Sequence, residues 1–163
     1  MAEHGPTVLR VCRALLEPAD AADAWSETFL AALRAYPRLR EGSDVRAWLV
    51  TIAHRKALDQ LRRAARRTAN GRAAPAEPAT HDPAPADDEL RAALDALPPK
   101  QRGAVVYRYL AELTYAEIGR LLDCSPIAAR RNAADGIANL RARYARARSR
   151  RRPNPTTSKG AKR

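Results

Sequence analysis

The chain has 163 residues and carries 30 lysines and arginines against 18 acids, a net charge of +12. Hydrophobic residues make up 45%, but many are alanine and aromatics reach only 5%, which favours several small helical cores over one large one. The charge points to a polyanionic partner, nucleic acid or an acidic membrane surface, while no apolar run is long enough to span a bilayer or serve as a signal-peptide core, so the protein is expected to be soluble and intracellular.

The charge is laid out in blocks. Residues 1–60 are neutral, 61–75 carry arginines and no acid, 76–89 carry acids and no base, and 125–163 are strongly basic with Asp135 as the lone acid. Such blocks suggest different partners for different segments. Cys12 and Cys124 lie far apart without metal-ligand spacing, so they read as free thiols in a reducing compartment, with no metal and no cofactor expected.

From the N-terminus, Pro6–Leu16 reads as a short amphipathic helix with Val8, Leu9, Cys12, Leu15 and Leu16 inward, ended by Glu17-Pro18. A second helix spans about Ala19–Tyr36, with Ala22, Trp25, Phe29, Leu30 and Leu33 at helical spacing. Its first turns carry Asp20, Asp23 and Glu27, which suit the positive end of the helix dipole. Pro37 closes it, and Arg38–Asp44 forms a polar loop containing Gly42. Ser43 or Asp44 can cap a third helix that runs to about Arg67. Its expected core face is Val45, Trp48, Leu49, Ile52, Ala53, Leu58 and Leu61. The other face holds Arg46, His54, Arg55, Lys56, Arg62 and Arg63. The arginine density exceeds what helix capping needs and favours contact with backbone phosphates.

Residues 68–86, rich in alanine and proline, read as a flexible linker. A second module begins with Asp87 or Asp88 as cap and places Leu90, Ala93, Leu94 and Leu97 inward until Pro98-Pro99. A helix over about Lys100–Leu110 buries Val105, Val106, Tyr109 and Leu110. Thr114 and Glu117 then have the spacing of a capping box, and Ile118, Leu121 and Leu122 give the next helix its apolar face. After a break at Asp123-Cys124, Ser125 is a good N-cap and Pro126 suits the first helical position. Ala129, Ala133, Ile137, Leu140 and Tyr144 share one face, which leaves Arg130, Arg131, Asn132 and Asp135 largely outside it. Two helices around a tight turn fit the helix-turn-helix plan for the DNA major groove, and periodicity alone fits a plain helical hairpin equally well. Residues 146–163 read as a basic disordered tail.

In order, these pieces resemble a bacterial RNA polymerase sigma factor of the small, two-module extracytoplasmic-function type. The first match is Pro18–Phe29 followed by Arg46–Leu49, Ile52-Ala53 and Ala57–Arg63, similar to the family's second conserved region. The second is Leu94–Arg143, with Leu97–Arg102 and Leu113–Gly119, similar to the fourth. The resemblance implies an all-α protein. A module over 1–67 would bind core polymerase and the minus-10 element, a linker over 68–86 would follow, and a four-helix helix-turn-helix module over 87–145 would bind the minus-35 element. Asp20, Asp23, Glu27 and Phe29 would dock on the clamp helices of the largest polymerase subunit, and the second module on the flap of the second-largest. Arg40, Ser43, Trp48, Arg55, Lys56, Arg62 and Arg63 would take the melted minus-10 strand, where a flipped base needs preformed contacts. The acids Glu77, Asp82, Asp87 and Asp88 would thread the active-site cleft and RNA exit path. Ser125, Arg130, Arg131, Asn132 and Asp135 would face minus-35 DNA, with Asn132 able to offer an amide to adenine. The protein would be a monomer when free, cytoplasmic and nucleoid-associated through polymerase, with an anti-sigma factor as a further candidate partner.

The chain also departs from the family pattern. Most members have a further helix before Pro6. Arg55 stands where asparagine is common, and Ser26 where glutamine is. Ala128 and Ala129 replace a Thr-Val pair, and Asn132 and Asp135 stand where arginines are common. An altered upstream specificity follows, since an aspartate repels phosphate but can accept from cytosine N4. A stand-alone or degenerate sigma-like regulator is the nearest alternative. A nucleic-acid-modifying enzyme is less consistent, because His4, His54 and His81 are dispersed and no phosphate-cradling glycine loop is present. An RNA-binding role would explain the basic tail but neither the neutral first module nor the acidic linker.

Overall fold

The computed structural model describes residues 3–70 and 85–151. The stretch 71–84, with Glu77, His81 and Asp82, and the tail 152–163 lie outside the described residues, as do the side chains of Asp87 and Asp88. Among the described residues every regular element is helical: α1 (Gly5–Leu15), α2 (Pro18–Ala35), a single 3-10 turn (Tyr36–Arg38), α3 (Val45–Ala69), α4 (Pro85–Asp95), α5 (Pro99–Tyr109), α6 (Tyr115–Leu122) and α7 (Pro126–Arg151). The boundaries follow local chemistry. Proline stands in the first turn of α1, α2 and α5, where its missing N–H costs nothing. Asp44 caps α3 by accepting from the Ala47 N–H at 3.0 Å. Two boundaries differ from expectation. α4 begins at Pro85, so Asp87 and Asp88 lie within its first turn rather than capping it, and α7 carries the chain on to Arg151, so residues 146–151 are helical rather than disordered.

The core is one body rather than several. A single buried cluster runs from Val8, Val11, Cys12 and Leu16 of the first module through Phe29, Leu49, Val50 and Ala53 to Leu97, Val106, Tyr107, Leu113 and Ile118 of the second. α1 packs against α4 and α5, and α3 against α6. Burial also raises the Cys12 thiol to about 11, so it is a protonated core residue rather than a nucleophile.

Several large apolar residues face outward, contrary to the expected core. On α2 the buried positions are Ala21, Ala24, Thr28, Phe29 and Ala32, while Ala22 is exposed and Leu30 and Leu33 are 56% and 60% exposed. On α3 the buried positions are Leu49, Val50, Ala53, Ala57 and Gln60, and Leu58 and Leu61 lie outside. The physical reason is close approach: alanines bring neighbouring helices near enough for their backbones to pack, so the small face turns inward and the bulky one is left over. Thr28 fits that tight seam because its hydroxyl donates to the Ala24 carbonyl at 2.6 Å. Leu90 and Tyr109 are likewise exposed, and Tyr107, two residues earlier, is buried in place of Tyr109.

Polar contacts help hold the modules together, among them the Arg46–Glu112 ion pair and two more deeply set ones. The Arg91 guanidinium of α4 donates to the carbonyls of Arg13 (2.7 Å) and Leu16 and lies 3.3 Å from Glu17. A cation from one module thereby satisfies the C-terminal carbonyls of α1 in the other. On the far side, His54 Nδ1 lies 2.6 Å from the Tyr107 hydroxyl, with the rings edge to face at 5.5 Å. His54 was expected on the solvated face of α3 and is instead half-buried. Burial pulls its pKa below the ordinary 6.5; a hydrogen bond with the Leu121 backbone opposes this and Arg55 adds to it. A bond that favours the proton is one to the Leu121 carbonyl, so the neutral ring donates there and Nδ1 accepts the Tyr107 hydroxyl proton. Burial also raises the Tyr107 pKa, which keeps that hydroxyl a donor.

Tyr107→Phe leaves His54 Nδ1 half-buried without a donor and should lower stability by about 1–2 kcal/mol in urea unfolding; His54→Phe in that background should cost markedly less than His54→Phe alone, because both polar ends are then gone. Because the folded pKa of His54 lies below its unfolded value, its contribution is complete above the ordinary value and is lost as pH falls through the folded one. Unfolding free energy should therefore fall as pH is lowered through the ordinary histidine value of about 6.5 and toward the lower folded one, and His54→Phe should flatten that slope.

Candidate nucleic-acid interface

The α6–α7 pair is a helix-turn-helix built from local bonds. Thr114 Oγ1 accepts from the Glu117 N–H at 3.3 Å and the Glu117 carboxylate accepts from the Thr114 N–H at 2.7 Å, so the expected capping box is present. α6 ends on Asp123 in the left-handed region, φ 50°, and the Cys124 N–H returns to the Gly119 carbonyl at 2.9 Å. Position 119 must be glycine for that return: a Cβ there would lie 2.6 Å from the Cys124 carbonyl oxygen and 3.3 Å from the Pro126 nitrogen. Ser125 Oγ then accepts from the Ala128 N–H at 3.1 Å and starts α7. The Ser125 hydroxyl thus caps α7 with one of its lone pairs, and its proton remains available to a ligand.

α7 packs on α5 and α6 with Ala129 and Ala133 buried, and Gly136 lies so close to α5 that a Cβ would meet Val105 Cγ2 at 2.6 Å. This packing fixes the rotation of α7. Arg130, Arg131 and Asp135 stand in solvent, and Asn132 is half-buried on the flank. Arg131 Nε lies 3.9 Å from the Asp135 carboxylate, so the aspartate tethers one arginine of the pair, whereas Arg130 has no ion-pair partner among the described residues. Asn139 at the same level donates to Gln101 at 2.9 Å.

On the first module the residues expected at two separate sites form one ladder. Arg67 meets Asp20 at 3.3 Å, Arg63 meets Glu27 at 3.3 Å, and Lys56 meets Glu27 at 3.2 Å. The Lys56 hydrogen bond draws the Glu27 carboxyl below its ordinary range, with partial burial opposing and Arg63 adding to it. Asp23 is exposed outside the ladder, while Phe29 is 5% exposed and stacks against Trp25 at 5.0 Å, so it belongs to the core rather than to a docking face. Arg40 and Ser43 are exposed on the loop before α3, where the Ser43 N–H donates to the Arg40 carbonyl at 3.2 Å. Arg55 and Arg62 are exposed along α3, the latter 3.5 Å from Asp59, and Trp48 is half-buried against the core. Arg46, expected on the basic outer face of α3, instead pairs with Glu112 of the second module. A partner 66 residues away leaves no trace in periodicity. The described residues hold no group of His, Cys, Asp or Glu able to bind a metal, and no described helix is long and apolar enough to cross a membrane.

The family description Sigma-70 region 2 matches residues 1–67, and Sigma-70, region 4 matches residues 87–140. The chain is 36% identical over 146 residues to RNA polymerase sigma factor CarQ of Myxococcus xanthus, covering 86% of this chain and 84% of that protein. It is an extracytoplasmic-function RNA polymerase sigma factor. The ECF RNA polymerase sigma factor ShbA of Streptomyces griseus is 34% identical over 164 residues, covering 87% of this chain and 84% of its own. Among solved structures, sigma factor RpoE of Bartonella quintana, crystallised with anti-sigma factor NepR, matches with a TM-score of 0.77 at 19% identity, covering 86% of this chain and 91% of that one. CnrH, solved with the cytosolic domain of CnrY, matches at 0.65 and 22% identity, covering 89% of this chain and 84% of that one. These likenesses concern the fold. As a sigma factor, the chain binds core RNA polymerase and directs promoter-specific initiation through its helix-turn-helix and its first module.

Gly119→Ala should force the α6–α7 turn open, costing about 1–3 kcal/mol, and thermal unfolding together with promoter footprinting should show lower stability and loss of upstream protection in parallel.

Proposed function

We propose that α7 reads the minus-35 element as duplex while the first module holds core polymerase and the melted minus-10 strand. The observation that carries this is the solvent-facing Arg130-Arg131 pair at the N-terminal end of a helix whose rotation α5 fixes, since the N-terminal residues of a recognition helix are those that reach base edges. Arg130, unpaired among the described residues, is the better placed for bidentate contact with guanine. Arg131, held near Asp135, adds phosphate contact or a cytosine reading through the aspartate. Asn132 contributes from the flank, and the Ser125 hydroxyl donates to phosphate at the helix start.

Arg40, Ser43, Arg55 and Arg62 are open to the minus-10 strand as they stand. Trp48 supplies an aromatic edge beside them. Lys56 and Arg63 reach phosphate by giving up Glu27. The clamp-docking surface is the outer face of α2, where Asp23 lies one helical stripe from the exposed Leu30 and Leu33. Asp20 and Glu27 join it as their α3 partners turn to DNA. Arg46 and His54 lie under the second module in the closed arrangement, so simultaneous reading of both promoter elements requires the modules to separate. The flap of the second-largest subunit receives the second module. Both solved neighbours were determined in complex with a second protein, in one case an anti-sigma factor by name, which supports an anti-sigma factor as a partner for this chain. The role is recognition and melting with no bond-making of its own, in the cytoplasm and at the nucleoid.

Run-off transcription with core polymerase tests the reading. Promoter-dependent transcripts are expected, and DNA binding without any transcript would sink it in favour of a stand-alone regulator. Leu33→Ala with Asp23→Ala should weaken core-polymerase assembly by about tenfold in a pull-down titration while leaving thermal stability unchanged.

A further inference from the structure

Ile127 is 82% exposed, more than any other large apolar side chain described. It is not a frayed end. The Ser125 cap and Pro126 fix the backbone on its N-terminal side, and Ala129 is fully buried two residues on. At about 100° per residue, Arg131 lies about 40° to one side of Ile127 and Arg130 about 60° to the other. An isoleucine therefore stands at the centre of the reading face between two arginines, with exposed Ala134 behind it. Among the α7 residues with described side chains, no other large apolar side chain is exposed. An apolar groove on a protein partner would ask for a patch rather than a single residue flanked by cations.

We propose that Ile127 reads the C5-methyl group of a thymine in the upstream promoter duplex, an inference that rests on α7 being the reading helix. The chemistry is complementary. Of the groups that base pairs present in the major groove, the thymine methyl is the apolar one, and a hydrogen-bonding side chain cannot register it. The flanking arginines hold the helix to phosphate or guanine, and the isoleucine supplies the one contact that depends on a methyl. A β-branched side chain on a helix keeps a single preferred rotamer, so little freedom is lost when it is covered. The reading face thus combines guanine and thymine recognition in adjacent base pairs, and the alanines at 128 and 129 leave Ile127 uncrowded.

The test uses holoenzyme formed from the full chain and core polymerase. A duplex is selected from a randomised pool, and each thymine in its protected upstream segment is replaced in turn by deoxyuridine, which lacks only the methyl. At one or two positions the replacement should weaken binding about three- to fivefold, the scale of one buried methyl group. Ile127→Ala holoenzyme should bind the thymine duplex correspondingly less tightly and be indifferent to the same replacement, whereas Ile127→Val should keep the penalty. The exposure of Ile127 means that neither change threatens folding. An upstream site without thymine, no penalty for deoxyuridine at any position, or a penalty that persists in Ile127→Ala would each overturn the inference. So would an Ile127→Ala defect confined to polymerase assembly. Arg130→Ala separates the two levels. If it abolishes upstream selectivity while Ile127→Ala leaves the thymine response intact, α7 reads DNA but Ile127 does not. If the selection returns no upstream preference and Arg130→Ala changes nothing, the reading helix itself has been misassigned and the inference falls with it.

Discussion

A neutral imidazole wedged between two helical modules sets much of the geometry of this protein. His54 accepts from a tyrosine that is 1% exposed, and the tyrosine sits in the middle of the core that both modules share. On the opposite side Arg91 closes the end of α1. The two contacts differ in kind. The arginine serves carbonyls that any helix end leaves open, so water can replace it at little cost. The His54–Tyr107 pair is shielded, and separating it exposes two polar groups together with the apolar surface around them. The modules can come apart for promoter engagement only when that surface gains another cover. A partner that covers both halves of this core supplies it, and opening is then coupled to assembly through the same buried area.

The ion pairs of the first module follow the opposite logic. Pairs as exposed as Arg63–Glu27 and Arg67–Asp20 are worth about 0.2–1 kcal/mol each. Exchanging a carboxylate for a DNA phosphate, or a guanidinium for a basic group on polymerase, is close to neutral in energy. The ladder keeps α2 acids and α3 bases solvated and oriented without committing them. Residues proposed for polymerase and for DNA therefore touch each other in the ladder, and on that proposal displacement of one side of a pair leaves the other side open.

The capping chemistry was legible in the sequence because it is local. Thr114 with Glu117, Asp44 before Val45, and Ser125-Pro126 each act within one turn, and each was found where its spacing put it. What was not legible depends on which face of a helix its neighbours choose. Alanines at 21, 24 and 32 outcompeted Leu30 and Leu33 for the inside of α2 because the gain from close backbone packing exceeds that from burying a larger side chain at greater distance. Sequence periodicity weights residues by size and polarity, so it rotated α2 and α3 toward their leucines and put His54 in solvent, while it placed Phe29 on the apolar face, where the structure buries it. The single core was missed for a related reason. Each module has too little apolar surface to look complete alone, and a scan along the chain cannot tell small separate cores from two halves of one.

The same rotation argument works in favour of the recognition helix. Ala129, Ala133 and Gly136 are small enough to lie flat on α5, and Gly136 admits no larger residue. α7 can then settle at one angle about its own axis. Had those positions been leucines, slack in packing would let the reading face turn by a fraction of a residue and blur which side chains meet the bases. With the angle fixed, substitutions on the outer face change the target without disturbing the scaffold. Asp135 and the uncharged Asn132 keep the positive charge of that side of α7 low without disturbing its packed side. On the proposed reading, the weaker charge of this face makes base-directed contacts a larger share of its binding than general attraction to phosphate.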